Sequence, residues 1–345
     1  MKRFVLWVGM VLLLAACGSA ADEDVTIRLM THDSFSVSEE VLAQFTAESG
    51  VAVELFEAGD GGAMLNQAIL AGESPLADVI FGIDNTFLSR ALENDILLPY
   101  DSPRLADVPD ALQLDDQHRA LPVDYGDVCL NYDKAWFADN GLTPPQALAE
   151  LAEPAYRGLT AVQNPATSTP GLAFLLVTIA EFGEDGYLDY WARLVANDVL
   201  VTSGWEEAYY GAFTAASDGD RPIVVSYASS PPAEVYFAAE PPAEAPTAAV
   251  VTDGSCFRQI EFAGILRGTE HEAAARQLID FLLSRPFQED VPLQMFVYPA
   301  SETAVLPDVF VQHSQTPANP VTLDPARITA NREAWIEAWT AVVLR

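Results

Sequence analysis

From Val25 to Met30 apolar and polar residues alternate, the period of a half-buried strand. After a polar stretch, Thr31-His32-Asp33-Ser34-Phe35, the apolar positions Val41, Leu42 and Phe45 recur at helical spacing, with Glu39 and Glu40 where carboxylates suit a helix start. Val51 to Phe56 alternates again, Gly59-Asp60-Gly61-Gly62 makes a turn, and Ala63 to Ala71 reads as a helix. A third strand spans Ala77 to Ile83, followed by Asp84-Asn85 and a helix from about Thr86 to Asn94. This βαβα order predicts a parallel sheet with helices on its faces. In such sheets the ligand crevice lies beyond the carboxyl ends of the strands. Thr31 to Ser34, Gly59 to Gly61 and Asp84-Asn85 all fall there and are expected to wall one crevice.

Further on, Leu121 to Asp124 and Val128 to Tyr132 read as two short strands bent at Tyr125-Gly126, where the chain is expected to cross into a second lobe. That lobe is predicted to hold a helix around Pro145 to Leu151, a strand at Leu159 to Gln163 and helices at Leu172 to Phe182 and Glu184 to Val195. A strand at Val199 to Thr202, a helix from Trp205 to Ala216 and a strand at Pro222 to Tyr227 follow. Val235 to Phe237 and Thr247 to Val251 read as strands around the exposed loop Pro241 to Pro246. Near the end, Trp335 and Trp339 with Ile336 and Val343 form the apolar stripe of a packing helix. There is no internal repeat.

The first residues bear on the compartment. Met1, Lys2 and Arg3 are followed by an uncharged thirteen-residue run, Phe4 to Ala16, and then by Cys17. About twenty apolar residues are needed to span a bilayer, so the pattern is that of a secretory leader. Leu14-Ala15-Ala16-Cys17 resembles a bacterial lipobox, and cleavage before a lipidated Cys17 is expected, with Gly18 to Asp24 as a polar tether. About 329 residues then remain, enough for two lobes with separate cores. A net charge of -33 argues against nucleic acid, whose phosphates need basic partners, and weakly favours a cationic ligand. Cys129 and Cys256 both have apolar neighbours; the reading favours buried thiols over a disulfide.

No hydrolytic, redox or metal-binding constellation emerges from the scattered histidines, and neither CxxC nor HExxH occurs. Binding without turnover is therefore expected, with no cofactor and no metal. The strongest local signal is Asn164-Pro-Ala-Thr-Ser-Thr-Pro-Gly171, which offers three hydroxyls before an apolar helix, a place for an anion such as phosphate. The plainer reading makes Thr167 or Thr169 a helix cap with Pro170 in the first turn. Trp205, Tyr209, Tyr210 and Tyr227 could hold a cation on their faces, with Asp60 as a nearby carboxylate.

In order along the chain, THDSF (31–35), GDGGAMLN (59–66), ADVIFGIDN (77–85), PVDYGDVCLNYDK (122–134), TSTPGLAFLL (167–176), GWEEAY (204–209), VSYASSP (225–231) and REAWIEAW (332–339) resemble the thiamine-binding proteins of bacterial ABC transporters. The resemblance implies a two-lobed α/β fold of the periplasmic-binding type (type II), each lobe a mixed sheet flanked by helices, closing on thiamine or its mono- or diphosphate. It implies delivery to a membrane permease with an associated ATPase, by a chain expected to act as a monomer. The lobes are placed at 25–124 with about 252–307, and at 125–251, with the helical region 308–345 packing on the second. By motif, Asp60 and Gly61 meet the ligand, Ser168 is the phosphate-side hydroxyl, Trp205 stacks, and Tyr227 belongs to the SYxxSP loop. His32, Asp33, Asp84, Thr169, Tyr209 and Ser230 complete the expected site. Two positions depart from the family pattern: His32 replaces a frequent tyrosine, and Pro232-Ala233 stand where an aromatic is frequent, for which Tyr236 could compensate. The alternatives in the same class are ferric iron, because Tyr209-Tyr210 is an adjacent phenol pair, and polyamines. An extracytoplasmic thiamine-processing enzyme with Cys129 as nucleophile is a further alternative.

Overall fold

The computed structural model describes residues 25–344, so the leader and Cys17 lie outside the described residues. Strand β1 (Val25–Thr31), helix α1 (Glu39–Ser49), β2 (Val51–Glu57), α2 (Gly61–Ala71), β3 (Val79–Asp84), α3 (Leu88–Glu93) and β4 (Leu97–Leu98) come first. Then follow β5 (Leu121–Asp133), α4 (Lys134–Asn140), β6 (Thr160–Gln163), α5 (Thr169–Ala196), β7 (Leu200–Thr202), a π-helical turn (Glu207–Ala212), β8 (Ile223–Tyr227), α6 (Pro232–Tyr236) and β9 (Thr247–Val250). The chain ends with β10 (Phe257–Leu266), α7 (Glu272–Leu282), α8 (Arg285–Gln294), β11 (Tyr298–Pro299), α9 (Asp308–His313) and α10 (Pro325–Val343).

The strands run in the order β2-β1-β3-β10-β5-β8-β6-β7, with β4 on β10 and both β9 and β11 on β5. The expected parallel pairs appear at each end, β1 with β2 and β3, and β6 with β7 and β8. Between them β10 and β5 are antiparallel and join the halves. β5 is one continuous strand that changes partner near Val128, from β10 to β8 and β9. Gly126, expected as a bend, serves close packing instead: a Cβ there would sit 2.8 Å from the Tyr227 ring.

Other expectations change locally. The two helices predicted at Leu172 to Phe182 and Glu184 to Val195 are one element, α5, kinked at Gly183 where φ is +73°. Residues 235–237 do not form a strand: Pro231 and Pro232 preset helical φ, and Pro232–Tyr236 is a helical turn. The helix read at Pro145 to Leu151 reduces to a 3₁₀ turn, Leu148–Ala152. Cys129 and Cys256 form a disulfide, against the expectation of two thiols. Val128 and Phe257 are register partners, so the residues beside them face each other across the strand pair, with Cα atoms 4.4 Å apart. Apolar neighbours show that a cysteine is buried; only strand register shows that two of them meet.

Trp335 and Trp339 are buried, and Trp339 packs edge-on against Trp191 of α5 at 5.4 Å. Arg332 of the same helix reaches the other way, its Nη1 donating to Thr86 O (3.2 Å) and Ser89 Oγ (3.1 Å). Among the described residues no helix is long and apolar enough to cross a membrane.

Candidate ligand-binding site

Loops at the carboxyl ends of β1, β2, β7 and β8, with the middle of β10 and the segment before β11, enclose a cavity of about 270 Å³. His32 and Asp33 come from the first loop, Asp60 from the second, Trp205 and Glu206 from the third, and Tyr227 and Ser230 from the fourth. Thr169, Tyr209, Phe237, Glu261, Met295 and Phe296 complete most of the wall, and among the described residues no lysine or arginine lines it.

Asp60 binds backbone from both sides of the cleft. It is the N-cap of α2, its Oδ1 accepting from Gly61 N (2.6 Å) and from Thr169 N at the start of α5 (2.9 Å). Its Oδ2 accepts from Trp205 N (3.0 Å). Burial raises its pKa to about 6, opposed by hydrogen bonds from Ser168, Thr169 and Trp205. Beside it Ala63 N donates to Thr167 O (3.0 Å), an approach that Gly62 permits because a Cβ there would lie 2.9 Å from the Thr167 carbonyl.

The start of α5 therefore already holds an anion, and it is Asp60. Ser168 is fully buried and caps the helix, its Oγ accepting from Gly171 N (3.3 Å), and it does not line the cavity. The cap is thus Ser168, not Thr167 or Thr169. Gly61 also stays out of the cavity wall, pressed against Thr169, whose Cγ2 would lie 2.6 Å from a Cβ at that glycine. Asp84 is buried below the wall, and its Oδ1 accepts from Thr86 N, Thr86 Oγ1 and Phe87 N. The other expected residues, His32, Asp33, Asp60, Thr169, Trp205, Tyr209, Tyr227 and Ser230, come together in the wall.

The aromatic group is preorganised. Trp205 stacks on Tyr209 with centroids 4.8 Å apart at 20°, meets Tyr210 edge-on at 5.5 Å, and donates from Nε1 to Ser226 Oγ (3.0 Å). Tyr209 donates to Glu234, and Tyr227 donates to Gln259 Oε1 (2.8 Å). Burial first, then the neighbouring carboxylates, keeps both phenols well above their ordinary range and therefore neutral. His32 accepts or donates at Nδ1 with Ser34 Oγ (3.0 Å), and burial lowers its pKa to about 4. Glu206 is pushed up to about 7 by burial and by the charges of Asp33, Glu57 and Asp60.

Glu206, Glu261, Phe237, Met295 and Phe296 escaped the sequence reading. Glu261 did leave a trace, a lone carboxyl between Ile260 and Phe262 in a strand that is apolar from there to Leu266. Phe237 lines the cavity, whereas Tyr236, expected to compensate for the absent aromatic at Pro232-Ala233, does not.

The thiamine-binding periplasmic protein of Salmonella typhimurium (strain LT2) is 31% identical over 338 residues, which cover 96% of this chain and 98% of that one. Its counterpart in Escherichia coli (strain K12) is 30% identical over 96% of this chain and 98% of its own. A solved periplasmic thiamin binding protein superposes with a TM-score of 0.82 at 29% identity, covering 93% of this chain and 96% of its own. The two-lobed fold is that of the type II periplasmic binding proteins. The bacterial extracellular solute-binding protein family matches residues 74–322, and the chain belongs to it.

Proposed function

We propose that this protein captures thiamine, free or as its mono- or diphosphate, outside the cytoplasmic membrane and hands it to the permease of an ABC transporter with an associated ATPase. The single observation that carries this reading is the cavity wall: stacked Trp205 and Tyr209 and the phenol of Tyr227 stand with Asp33, Glu206 and Glu261, and among the described residues no lysine or arginine lines it. A thiazolium nitrogen has no N–H to donate, so aromatic faces and carboxylates are the groups that can hold it. The flat aminopyrimidine suits the same aromatic surfaces. The names of the relatives at about 30% identity agree with this chemistry. Titration calorimetry with thiamine and its phosphates tests the reading; absence of heat and of thermal stabilisation with all three would refute it.

Attachment by lipid at Cys17 belongs to the same proposal. It rests on Leu14-Ala15-Ala16-Cys17 after a basic start. Cys17→Ser is expected to release the protein from membranes, and mass spectrometry of an unmodified mature chain cut elsewhere would refute the anchor.

A further inference from the structure

Below the cavity, three neighbouring strands each place a carboxyl group in one row. Asp84 of β3 is the register partner of Glu261 in β10, and Glu261 is that of Asp124 in β5. Asp84 and Asp124 are fully buried, and Glu261 is 8% exposed and lines the cavity. Like charges directly opposed across strands are destabilising, and a buried carboxylate is costly unless paired. Cations or protons must compensate. Among the described residues no lysine or arginine lines the cavity. His32 Nε2 stands 3.8 Å from Glu261 Oε2, too far for a hydrogen bond, and its ring is neutral near pH 7. Asp60 and Tyr227, the other titratable groups facing Glu261, are acids.

Protons therefore fill the gap. Burial raises Asp84 and Asp124 to about 7, and burial followed by the charges of Asp124 and Asp84 raises Glu261 well above the carboxyl range. Asp124 and Glu261 are directly opposed register partners across β5 and β10, and two carboxyl groups so placed bond only around a shared proton. Two further observations point to a ligand that meets the row. Apart from the proton shared with Glu261, neither oxygen of Asp124 finds a donor among the described residues, and His32 Nε2, at the wall on a residue only 8% exposed, has no hydrogen-bond partner among them. Asp60 cannot serve as the free carboxylate, because its oxygens are taken by three backbone N–H groups.

We propose that Glu261 is the specificity-determining residue that reads the ligand's positive charge, and that the bound cation replaces the proton shared by Glu261 and Asp124, which passes to solvent. The inference rests on the functional reading above and adds the group that meets the cationic centre. By linkage, cation affinity rises with pH, by at most about tenfold per unit while the row is protonated.

The test is calorimetry of the intact protein between roughly pH 6 and pH 8, in buffer pairs of different ionisation enthalpy. The probes are thiamine and an uncharged analogue with carbon in place of the quaternary nitrogen. Thiamine is expected to release close to one proton and the analogue none. Glu261→Gln is expected to abolish the release and to weaken thiamine at least about tenfold more than the analogue. In Asp124→Asn, whose amide can donate to Glu261, release falls and affinity near pH 6 rises. Thiamine binding without proton release, or equal losses for both probes in Glu261→Gln, overturns this inference alone. Failure of the wild type to bind either probe overturns it together with the functional reading. A Glu261→Gln that does not fold leaves the wild-type proton count and Asp124→Asn to decide.

Discussion

Truncating Trp205 tests whether the aromatic wall binds ligand or only packs. Its ring lies on Tyr209 at 4.8 Å, and its Nε1 is tied to Ser226 Oγ at 3.0 Å, so the indole is held in place before any ligand arrives. Trp205→Ala removes the face and leaves Ser226 satisfied by Ser230, 2.9 Å away. A cation on an aromatic face gains ~0.5 kcal/mol where exposed and ~2 kcal/mol where water is excluded. The partly open cavity puts the loss between the two figures, a fall in thiamine affinity of about threefold to thirtyfold. Trp205→Phe keeps a ring and loses the hydrogen bond that orients it, worth ~1 kcal/mol, so a fall of about fivefold is expected. Among the described residues Trp205 is the one tryptophan lining the cavity, so fluorescence quenching by thiamine is expected to vanish with it. Calorimetry gives the affinities, and circular dichroism with a melting curve confirms the fold. Undiminished affinity and quenching in a folded Trp205→Ala would refute the reasoning and leave Trp205 a packing residue.

Asp60→Asn sets an amide N–H against Trp205 N–H. The lost bond, ~1–3 kcal/mol and partly offset by removal of a buried charge, weakens charged and uncharged ligands alike, whereas a loss confined to the charged ligand in calorimetry would put Asp60 against the cation. Ser168→Ala removes the cap of α5, a loss of ~1 kcal/mol read as a lower melting temperature, with equal effects on thiamine and its phosphates; a selective loss of the phosphates would restore a phosphate contact. Stability without ligand is expected to fall as pH rises. Asp60, Asp84 and Asp124 have folded pKa values raised to about 6, about 7 and about 7, so the folded state holds protons that the unfolded chain has lost. Their contribution is complete below the ordinary carboxyl range near pH 4 and is lost through about pH 6 to 7. Scanning calorimetry at pH 5 and pH 8 checks the sign, and Asp124→Asn is expected to flatten the difference.

Periodicity is a local property, and whatever depends on it was legible in the chain. The β1-α1-β2-α2-β3 order could be read directly, and so could the placing of His32, Asp33 and Asp60 beyond strand ends, because in a parallel α/β unit those ends open on one side. The aromatic wall was legible in part, since Trp205 and Tyr209 are close in sequence as well as in space.

Register between distant strands is not written in either strand alone. The pairing of β3, β10 and β5 decides that Asp84, Glu261 and Asp124 share a row and that Cys129 meets Cys256. Each of these residues, taken with its sequence neighbours, looks like an isolated polar or apolar position. Competition for a donor is equally invisible: the hydroxyls before α5 suggest a place for phosphate, yet Asp60 reaches those amides from another loop. Helical and strand periods arise within a few residues of backbone, whereas the charge state of the cavity floor arises from contacts that exist only after the two halves of the sheet have joined through β5 and β10.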